Sequence, residues 1–547
     1  MTDLCLTVSQ VEATLESLDV TKATGPDEIS ARLLKETASV IAPSLCKLYN
    51  KSLSLGRIPQ GWKEANVVPV FKKGEAEFTE NYRPISLLSL VSKVLERCVL
   101  DSFSDRLSQL AKRCQHGFIK GKSCTSNLLE VLDFSGALLD KGGQVDMVYM
   151  DISKAFDKVS HSLLLQKLRF FGFGGSLLQW FASYLSGRQQ RVTVLGATSE
   201  PLPICSGVPQ GSILGPALFL IYVNDLPDVV EKCHIAMFAD DAKIYKQIKT
   251  PADAACLQSD LDSMDAWATA AGLFFNETKC KTQMITRKTR LVTTSYTLKN
   301  KVVERVETER DLGVLVSSNL TWNKQVHHQT SRANKLLGYI RRNTNFIKNT
   351  NVRRLMYLTL VRPLLGYATQ VWAPQAIGLI QSMERTQRRA TKYILKLPFL
   401  TEISYTSRLI TLHLLPLTYW HEYLDLLHFF FKMINGLVNV NPSTLPTERC
   451  VRQTRSSSAN IIKYTEHKCK TTTYQKSFFV RTTRIWNCLS SELNLNCSSV
   501  NSLKPVLQEY YFVALNHYDA EDPRLYKTIC LKCNMCRSLA RPATCCN

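Results

Sequence analysis

Three aspartates stand at the ends of apolar, strand-like segments of this 547-residue chain. Asp151 directly follows residues 145–150, and Asp240 and Asp241 stand side by side at a turn within residues 235–245. A carboxylate at the end of a buried strand is costly unless a positive charge neutralises it. Carboxylate oxygens are ligands that Mg²⁺ prefers, and two such ions ~3.5–4 Å apart can promote phosphoryl transfer. The pattern therefore suggests metal-assisted chemistry, although Asp also favours turns for purely local hydrogen-bonding reasons.

The elements that must position these aspartates are a mixture of strands and helices without a regular βαβ alternation, which predicts the α+β class. Strand patterns cover residues 66–71, 145–150, 191–195 and 235–245, and helical patterns cover residues 91–107, 163–171 and most of the chain after Trp322. Pro69 should place its strand at a sheet edge, because proline cannot donate to the ladder. Pro216 suits the first residue of the apolar helix that follows the loop 207–216.

The basic charge of the chain is concentrated in one region. The sequence contains 68 Lys and Arg against 46 Asp and Glu, a formal net charge of +22. Between Trp322 and Leu400 there are 14 basic residues and a single acid, Glu384. Apolar residues interleave with these charges, so the region should be folded and helical. A basic groove of this kind suits a phosphate backbone, because neutralised phosphates release counterions, although a solvated helix face is the alternative.

Several classes of protein are excluded by composition. Hydrophobic residues make up 45% and charged residues 21%, a globular balance. No run of 18 apolar residues is present, and the N-terminus lacks the basic and apolar regions of a signal peptide. The 18 cysteines are irregularly spaced, which indicates reduced thiols in an intracellular protein. We expect neither a membrane-spanning nor a secreted, disulfide-bonded protein.

Nine motifs follow one another along the chain, and a family resemblance depends on them. They are KATGPDEI (22–29), VVPVFKKG (67–74), NYRPISLL (81–88), QHGFIKGKSC (115–124), DISKAFDKVSH (151–161), SGVPQGSILGP (206–216), FADDAKIY (238–245), LFFNETKCKT (273–282) and ERDLGVLV (309–316). Their order and spacing resemble the reverse transcriptase of non-LTR (LINE-type) retrotransposons, of the jockey and chicken-repeat kind. The likeness continues through later segments and covers almost the whole chain.

The resemblance implies a catalytic role for four side chains. Asp151, Asp240 and Asp241 would bind two Mg²⁺ ions, and the backbone carbonyl of Ile152 would complete the ion on the triphosphate side. Lys279 resembles the lysine that protonates the departing pyrophosphate, although Lys281 stands close to it in sequence.

The resemblance also implies a set of nucleotide-binding residues. Lys72, Lys73 and Arg83 would grip the triphosphate, and Gln210 with Gly211 would line the pocket for the templating base and the incoming nucleotide. Phe156 resembles the bulky gate that excludes a ribose 2′-hydroxyl. Each has a plainer alternative. The basic residues could be solubilising, the Gln-Gly pair a helix-initiating turn, and Phe156 ordinary core packing.

A nucleic-acid-binding face is expected after Trp322. Arg385, Arg388, Arg389 and Lys392 fall on one face of a helix, at positions suited to the backbone of a template–primer duplex. Trp372 and Tyr393 could stack on bases, with burial in the core as the alternative for each.

The resemblance implies a right-hand polymerase, with fingers, a palm built on an antiparallel sheet, a thumb and a mainly helical C-terminal region. We divide the chain into an N-terminal helical extension (1–60), fingers and palm (61–316), a basic helical thumb (317–400), a C-terminal helical domain (401–529) and a cysteine-rich tail (530–547). In this tail, zinc could bind Cys530, Cys533 and Cys536, completed by His517 or Cys545, but the spacing fits no standard finger and a reduced tail is the alternative.

The implied function is RNA-directed DNA synthesis, as in non-LTR retrotransposition. The partners would be an RNA template, a DNA primer formed by a nicked chromosomal end, and deoxynucleoside triphosphates, which implies a nuclear site with a cytoplasmic phase as an option. We find no upstream endonuclease segment, so a separate endonuclease could supply the nick. Two alternatives stay open. One is a truncated or domesticated nucleic-acid-binding remnant, and the other is an RNA-templated RNA polymerase, which Phe156 disfavours.

Overall fold

The structure is a computed structural model that describes residues 1–440, 463–490 and 497–515, with residues 448, 449, 493 and 495. His517 and the tail cysteines of the zinc prediction lie outside the described residues. Helices and strands are interspersed, as the α+β class requires.

The strands are β1 Glu64–Phe71, β2 Tyr82–Leu88, β3 Gln144–Asp151, β4 Arg188–Val194, β5 Ala197–Thr198, β6 Leu202–Ile204, β7 His234–Phe238, β8 Asp241–Gln247, β9 Lys281–Thr286, β10 Thr297–Leu298, β11 Lys301–Val302, β12 Glu304–Arg305, β13 Thr308–Asp311, β14 Val314–Ser317, β15 Glu448–Arg449 and β16 Lys463–Tyr464.

The helices are α1 Val8–Glu16, α2 Ala31–Glu36, α3 Ala38–Ser54, α4 Leu90–Leu110, α5 Cys124–Asp140, α6 His161–Phe170, α7 Gly175–Leu185, α8 Leu214–Val223, α9 Pro251–Ala270, α10 Asn323–Asn343, α11 Thr350–Met356, α12 Arg362–Gly366, α13 Thr369–Trp372, α14 Ile377–Ile394, α15 Tyr405–Thr411, α16 Leu417–Leu424, α17 Phe431–Ile434, α18 Thr472–Gln475, α19 Phe478–Leu489 and α20 Val500–Leu515.

The central sheet has the strand order β12-β9-β3-β8-β7 and is antiparallel except where β12 joins β9. Its middle strand, β3, is buried on both faces. Val148 and Met150 belong to the core shared with the N-terminal helices, whereas Val145 and Met147 belong to the core shared with α10 and α14. A strand covered on both faces has a nearly continuous apolar sequence. The predicted strands and the strand-turn-strand of residues 235–245 are confirmed.

A second sheet holds β1 in its interior, so the predicted edge position of this strand is wrong. β1 pairs antiparallel with β2 through residues 65–71 and parallel with β4 through residues 64–67. Pro69 lies beyond the last position paired with β4, and it faces Pro84 of β2. At Pro69 only β2 lies beside β1, so the missing N–H of the proline removes no hydrogen bond to β4.

The apolar helix α8 begins at Leu214, two residues before the predicted start at Pro216. The backbone N–H groups of Ile213 and Leu214 donate to the buried Glu96 carboxylate, at 2.8 and 3.1 Å. A carboxylate from α4 thus binds two free amides at this helix start, and the local Ser212 hydroxyl accepts from the next amide, Gly215 N, at 2.9 Å. This contact links α4 to the Gly- and Pro-rich loop before α8.

The C-terminal half of the described chain is helical and continues the core of the central sheet. Helices α10 to α14 pack with the sheet through one cluster of buried apolar side chains, and α16 to α20 enclose another. The hairpin β13–β14 lies between the central sheet and α10. Among the helices that the structure describes, none combines the length and the hydropathy that a bilayer-spanning segment needs.

Candidate active site

The three aspartates meet at one end of the central sheet. Asp151 ends β3 and lies directly opposite Asp241, the first residue of β8, in the antiparallel register. Directly opposed residues of an antiparallel pair have Cβ atoms ~4.5–5.5 Å apart on the same face. Asp240 occupies the two-residue turn between β7 and β8, after Ala239 with a φ of +56°. The pairing of β3 with β8 therefore brings Asp151 and Asp241 together, although 90 residues separate them in the sequence.

Burial and mutual repulsion raise the pKa of two of the three carboxylates. Burial raises the pKa of Asp240, and the negative charge of Asp151 adds to the effect. The pKa of Asp241 is raised to about 6, first by lost hydration and then by Asp240 and Asp151. The positive charges of Lys72 and Arg83 act on Asp240 in the opposite direction. Carboxylates held together in this way gain from a cation placed between them.

Lys279 contacts the carboxylate of Asp151. Its Nζ lies 2.8 Å from Asp151 Oδ2, in a part of the site that is open to solvent. Asn276 shapes the turn that carries this lysine, because its own N–H donates to the Asp151 carbonyl and its carbonyl accepts from Lys279 N. Lys281 instead contacts Glu304 at 2.6 Å, so the two neighbouring lysines have different partners.

The predicted triphosphate-binding residues lie on the hairpin of β1 and β2. Lys72 and Lys73 follow β1, and Arg83 faces Val70 across the β1–β2 pairing. All three basic side chains are exposed, and Lys73 lines the cavity that contains Asp151 and Asp241. Cations without buried partners at the rim of an acidic cleft can contact an anionic ligand there.

Phe156 lies on a short 3₁₀ turn just after Asp151 and Ile152. Its ring stacks on Phe219 of α8, with centroids 4.6 Å apart and an interplanar angle of 18°. The side chain is half-buried, so one part packs on the core and another faces outward. Val208 N donates to the Phe156 carbonyl at 2.9 Å, which fixes this turn against the loop before α8. Both alternatives for Phe156, gate and core packing, are compatible with this position.

Gly211 is needed where the loop before α8 crosses β2. Its φ is +116°, and a Cβ at this position would lie 2.5 Å from the Ser86 carbonyl oxygen. Ser86 N donates to the Gln210 carbonyl at 2.7 Å, so the loop is hydrogen-bonded to the strand. This contact places Gln210 and Gly211 beside the sheet that carries Arg83.

A cavity of about 410 Å³ extends from Asp151 and Asp241 to the hairpin β13–β14. Its wall contains Lys243 and Asp311, an ion pair whose side chains are 5% and 8% exposed. Sequence analysis missed this pair, although both residues stand within quoted motifs. Two charges 68 residues apart give no local signal of pairing.

The predicted basic face of α14 divides into two kinds of residue. Arg385 and Arg389 are exposed, whereas Arg388 lies over the Tyr405 ring and Lys392 over Phe399. Trp372 is fully buried, and its indole N–H donates to the Tyr367 carbonyl, which excludes base stacking. Tyr393 is partly buried, with its hydroxyl against Thr344.

Glu384, the single acid between Trp322 and Leu400, lies in the core and not on the surface of this basic region. It is 1% exposed, and Tyr405 and Leu417 N hydrogen-bond its two oxygens. Burial raises its pKa to about 7. Every exposed charged side chain between Trp322 and Leu400 is therefore basic.

The aspartates fit Mg²⁺ by the chemistry of their donor oxygens. The described residues contain no group of three or more His, Cys, Asp or Glu arranged as a ready ligand set. Mg²⁺ is commonly held by one or two carboxylates together with substrate phosphates, so it needs no such cage. Asp151, Asp240 and Asp241 could supply the protein ligands, and the repulsion among them would be relieved by the ion.

Comparisons with known proteins point to one family. The family model described as reverse transcriptase (RNA-dependent DNA polymerase) matches residues 70–340. The chain is 28% identical over 420 residues to the probable RNA-directed DNA polymerase from transposon BS of Drosophila melanogaster, covering 74% of this chain and 46% of that protein. It is 26% identical over 410 residues to the RNA-directed DNA polymerase from mobile element jockey of the same species, covering 72% of this chain and 44% of that protein.

Residues 70–340 are therefore a reverse transcriptase domain. Its relatives include the RNA-directed DNA polymerases of non-LTR, LINE-type retrotransposons, and the resemblance inferred from the motifs is confirmed. The chain spans less than half the length of the BS and jockey proteins. Reverse transcriptases generally use Mg²⁺, which agrees with the oxygen donors at the site.

Proposed function

We propose that this chain is an RNA-directed DNA polymerase that copies an RNA template into DNA, as in non-LTR retrotransposition. The observation that carries the proposal is the meeting of Asp151 with Asp240 and Asp241 at one end of the central sheet, inside the reverse transcriptase domain. The cavity beside them and the positive surface after Trp322 are suited to a polyanionic substrate.

In this proposal the chain has the parts of a right hand. The central sheet is the palm, the β1–β2 hairpin belongs to the fingers, and α10 to α14 form the thumb. The division at residues 60, 316, 400 and 529 is part of the proposal. Exposed Arg385 and Arg389 would contact the backbone of the template–primer duplex, whereas Arg388 and Lys392 would position this face through their aromatic partners.

The reaction joins a primer 3′-hydroxyl to the α-phosphate of a deoxynucleotide, and pyrophosphate leaves. Two bound Mg²⁺ ions would neutralise the charge that develops on the reacting phosphate. Asp151, Asp240, Asp241 and the Ile152 carbonyl would hold them. Lys279 is close enough to Asp151 to give its proton to the departing pyrophosphate once phosphate oxygens replace the carboxylate as its partner.

The nucleotide would be bound on three sides. Lys72, Lys73 and Arg83 contact the triphosphate, Gln210 and Gly211 back the base pair, and the Phe156 ring rejects a ribose 2′-hydroxyl by overlap. The stack of Phe156 on Phe219 supports the last role, since a ring fixed against α8 cannot easily move aside. The DNA primer would be a nicked chromosomal end, with the reaction in the nucleus and a separate endonuclease as one source of the nick.

The test is primer extension by the purified chain on poly(rA)/oligo(dT) with Mg²⁺, using dTTP and UTP in parallel. We expect incorporation of dTTP and strong discrimination against UTP. Equal use of UTP would refute the role of Phe156 and favour an RNA polymerase. Salt-sensitive template binding without incorporation would refute the polymerase and leave a nucleic-acid-binding protein.

A further inference from the structure

The segment that begins with Gln115 lies along β7, next to the turn that carries Asp240. Gln115 forms a parallel bridge with Met237. Met237 N donates to the Cys114 carbonyl at 2.8 Å, and His116 N donates to the Met237 carbonyl at 2.9 Å. The QHGFIKGKSC motif therefore extends the ladder of the central sheet beside the catalytic hairpin, and the proposed reaction gives it no role.

The Gln115 side chain reaches the turn itself. Its Oε1 accepts from Gly117 N at 2.8 Å and from Ala239 N at 2.9 Å, and the residue is 4% exposed. Ala239 has a φ of +56°, a conformation that an L residue rarely adopts. One carboxamide oxygen thus satisfies a buried amide of a strained residue whose immediate neighbour is Asp240.

Two further contacts enclose the same hairpin. A Cβ on Gly117 would lie 2.4 Å from Ala239 N, so the glycine lets the two backbones touch. Asn127 of α5 is fully buried, lines the cavity with Asp241, and donates from Nδ2 to the Met237 carbonyl at 3.0 Å. Backbone groups on the strand and in the turn are therefore held by side chains from outside the hairpin.

We propose that Gln115 is a positioning residue that fixes the Ala239–Asp240 turn, and with it the place of the Asp240 carboxylate. The inference deepens the proposed polymerase function and depends on it for its effect on rate. A displacement of about 1 Å at a reacting group can cost on the order of 100-fold in rate. Gln115 does not line the cavity beside Asp151 and Asp241, so its effect is exerted through the turn.

The test compares Gln115→Met with Gln144→Met. Methionine keeps the volume of glutamine but cannot accept the two N–H bonds in the same way. Gln144 is an equally buried glutamine at the opposite end of β3 from Asp151, where it bonds to Asp146 and Val292. Amide hydrogen exchange of the peptide covering residues 235–243 is measured in the free protein, and primer extension is measured beside it.

For Gln115→Met we expect exchange of this peptide to become about 10- to 100-fold faster, since a buried amide loses its acceptor. kcat should fall on the order of 100-fold, and Kd for the template–primer should stay within about twofold of wild type. Gln144→Met should leave exchange at 235–243 and kcat unchanged. Gln115→Glu, which retains acceptor oxygens, should restore the exchange protection.

Unchanged exchange at 235–243 in Gln115→Met would overturn the proposal. Equal losses in Gln115→Met and Gln144→Met would also overturn it, because they would indicate only general destabilisation. The exchange measurement is independent of catalysis. An inactive wild-type protein would therefore refute the polymerase, whereas the fate of the Ala239 amide would still test the contact with Gln115.

Discussion

The buried ion pair between Lys243 and Asp311 gives a sharp prediction about how the β13–β14 hairpin is attached. Both side chains are almost completely buried, so water screens neither charge. Asp311→Asn removes one partner and leaves the Lys243 ammonium without its anion. Breaking a buried pair in this way costs about 3–5 kcal/mol. The same substitution in the exposed pair Lys112–Asp228, as Asp228→Asn, should cost at most about 1 kcal/mol.

The double variant Lys243→Met/Asp311→Leu should recover most of this loss. Removing both charges also removes the cost of burying them, and an apolar replacement of a buried pair is often neutral or stabilising. The two charges act oppositely on the pKa of Asp241, Lys243 lowering it and Asp311 raising it. We therefore expect the double variant to retain much of its polymerase rate.

The assay is denaturant-dependent hydrogen exchange of the peptide that covers residues 305–320, because a local measurement does not require the whole chain to unfold in one step. A cost near that of Asp228→Asn would refute the reasoning. A double variant as unstable as Asp311→Asn would refute it as well, because the pair would then stabilise the hairpin by more than the neutralisation of its two charges.

Three further predictions follow from the site. Gly211→Ala should raise KM for dTTP on the order of tenfold, because its Cβ would meet the Ser86 carbonyl. Gly196→Ala, which also has a positive φ but open space around its Cβ, should leave KM unchanged, and steady-state kinetics compares the two variants. Without metal, Asp241→Asn should raise the melting temperature at pH 7–8 but not below pH 4. The raised pKa of Asp241 means that its ionisation lowers the stability of the fold above about pH 6 and has no effect below pH 3.8. An equal gain in melting temperature at both pH values would contradict this. Arg385→Glu/Arg389→Glu should weaken template binding and reduce the steepness of log K against log [salt] by about 2. A steepness unchanged from wild type would show that this surface does not contact the template.

The sequence predicted the β7–β8 hairpin well because its information is local. Two apolar strands around a tight Ala239–Asp240 turn define a hairpin whatever surrounds them, and the spacing of the motifs identified the family. The apolar sequence of β3 likewise predicted a buried strand. These features depend on neighbours in sequence, so pattern and structure agree.

The features that sequence analysis missed depend on contacts between distant segments. Pro69 was expected at an edge because nothing local indicates that β4 pairs only with the first half of β1. The start of α8 was placed at Pro216 because Glu96, which binds the amides at Leu214, lies on another helix. The burial of Glu384 gave no local signal either, because Tyr405 and Leu417, which bind its two oxygens, lie on other helices.

The most direct test of the central claim is single-turnover extension of an oligo(dT) primer on poly(rA) by Asp240→Asn beside Asp19→Asn. Asp19 is an exposed aspartate near the N-terminus, where it contacts Thr21 and Lys22, and serves as the matched control. We expect Asp240→Asn to lose at least about 1,000-fold in rate, on the order of 4 kcal/mol at the transition state, with template affinity equal or higher because a negative charge is removed. Asp19→Asn should behave as wild type. A rate for Asp240→Asn within tenfold of wild type would contradict the assignment of the active site.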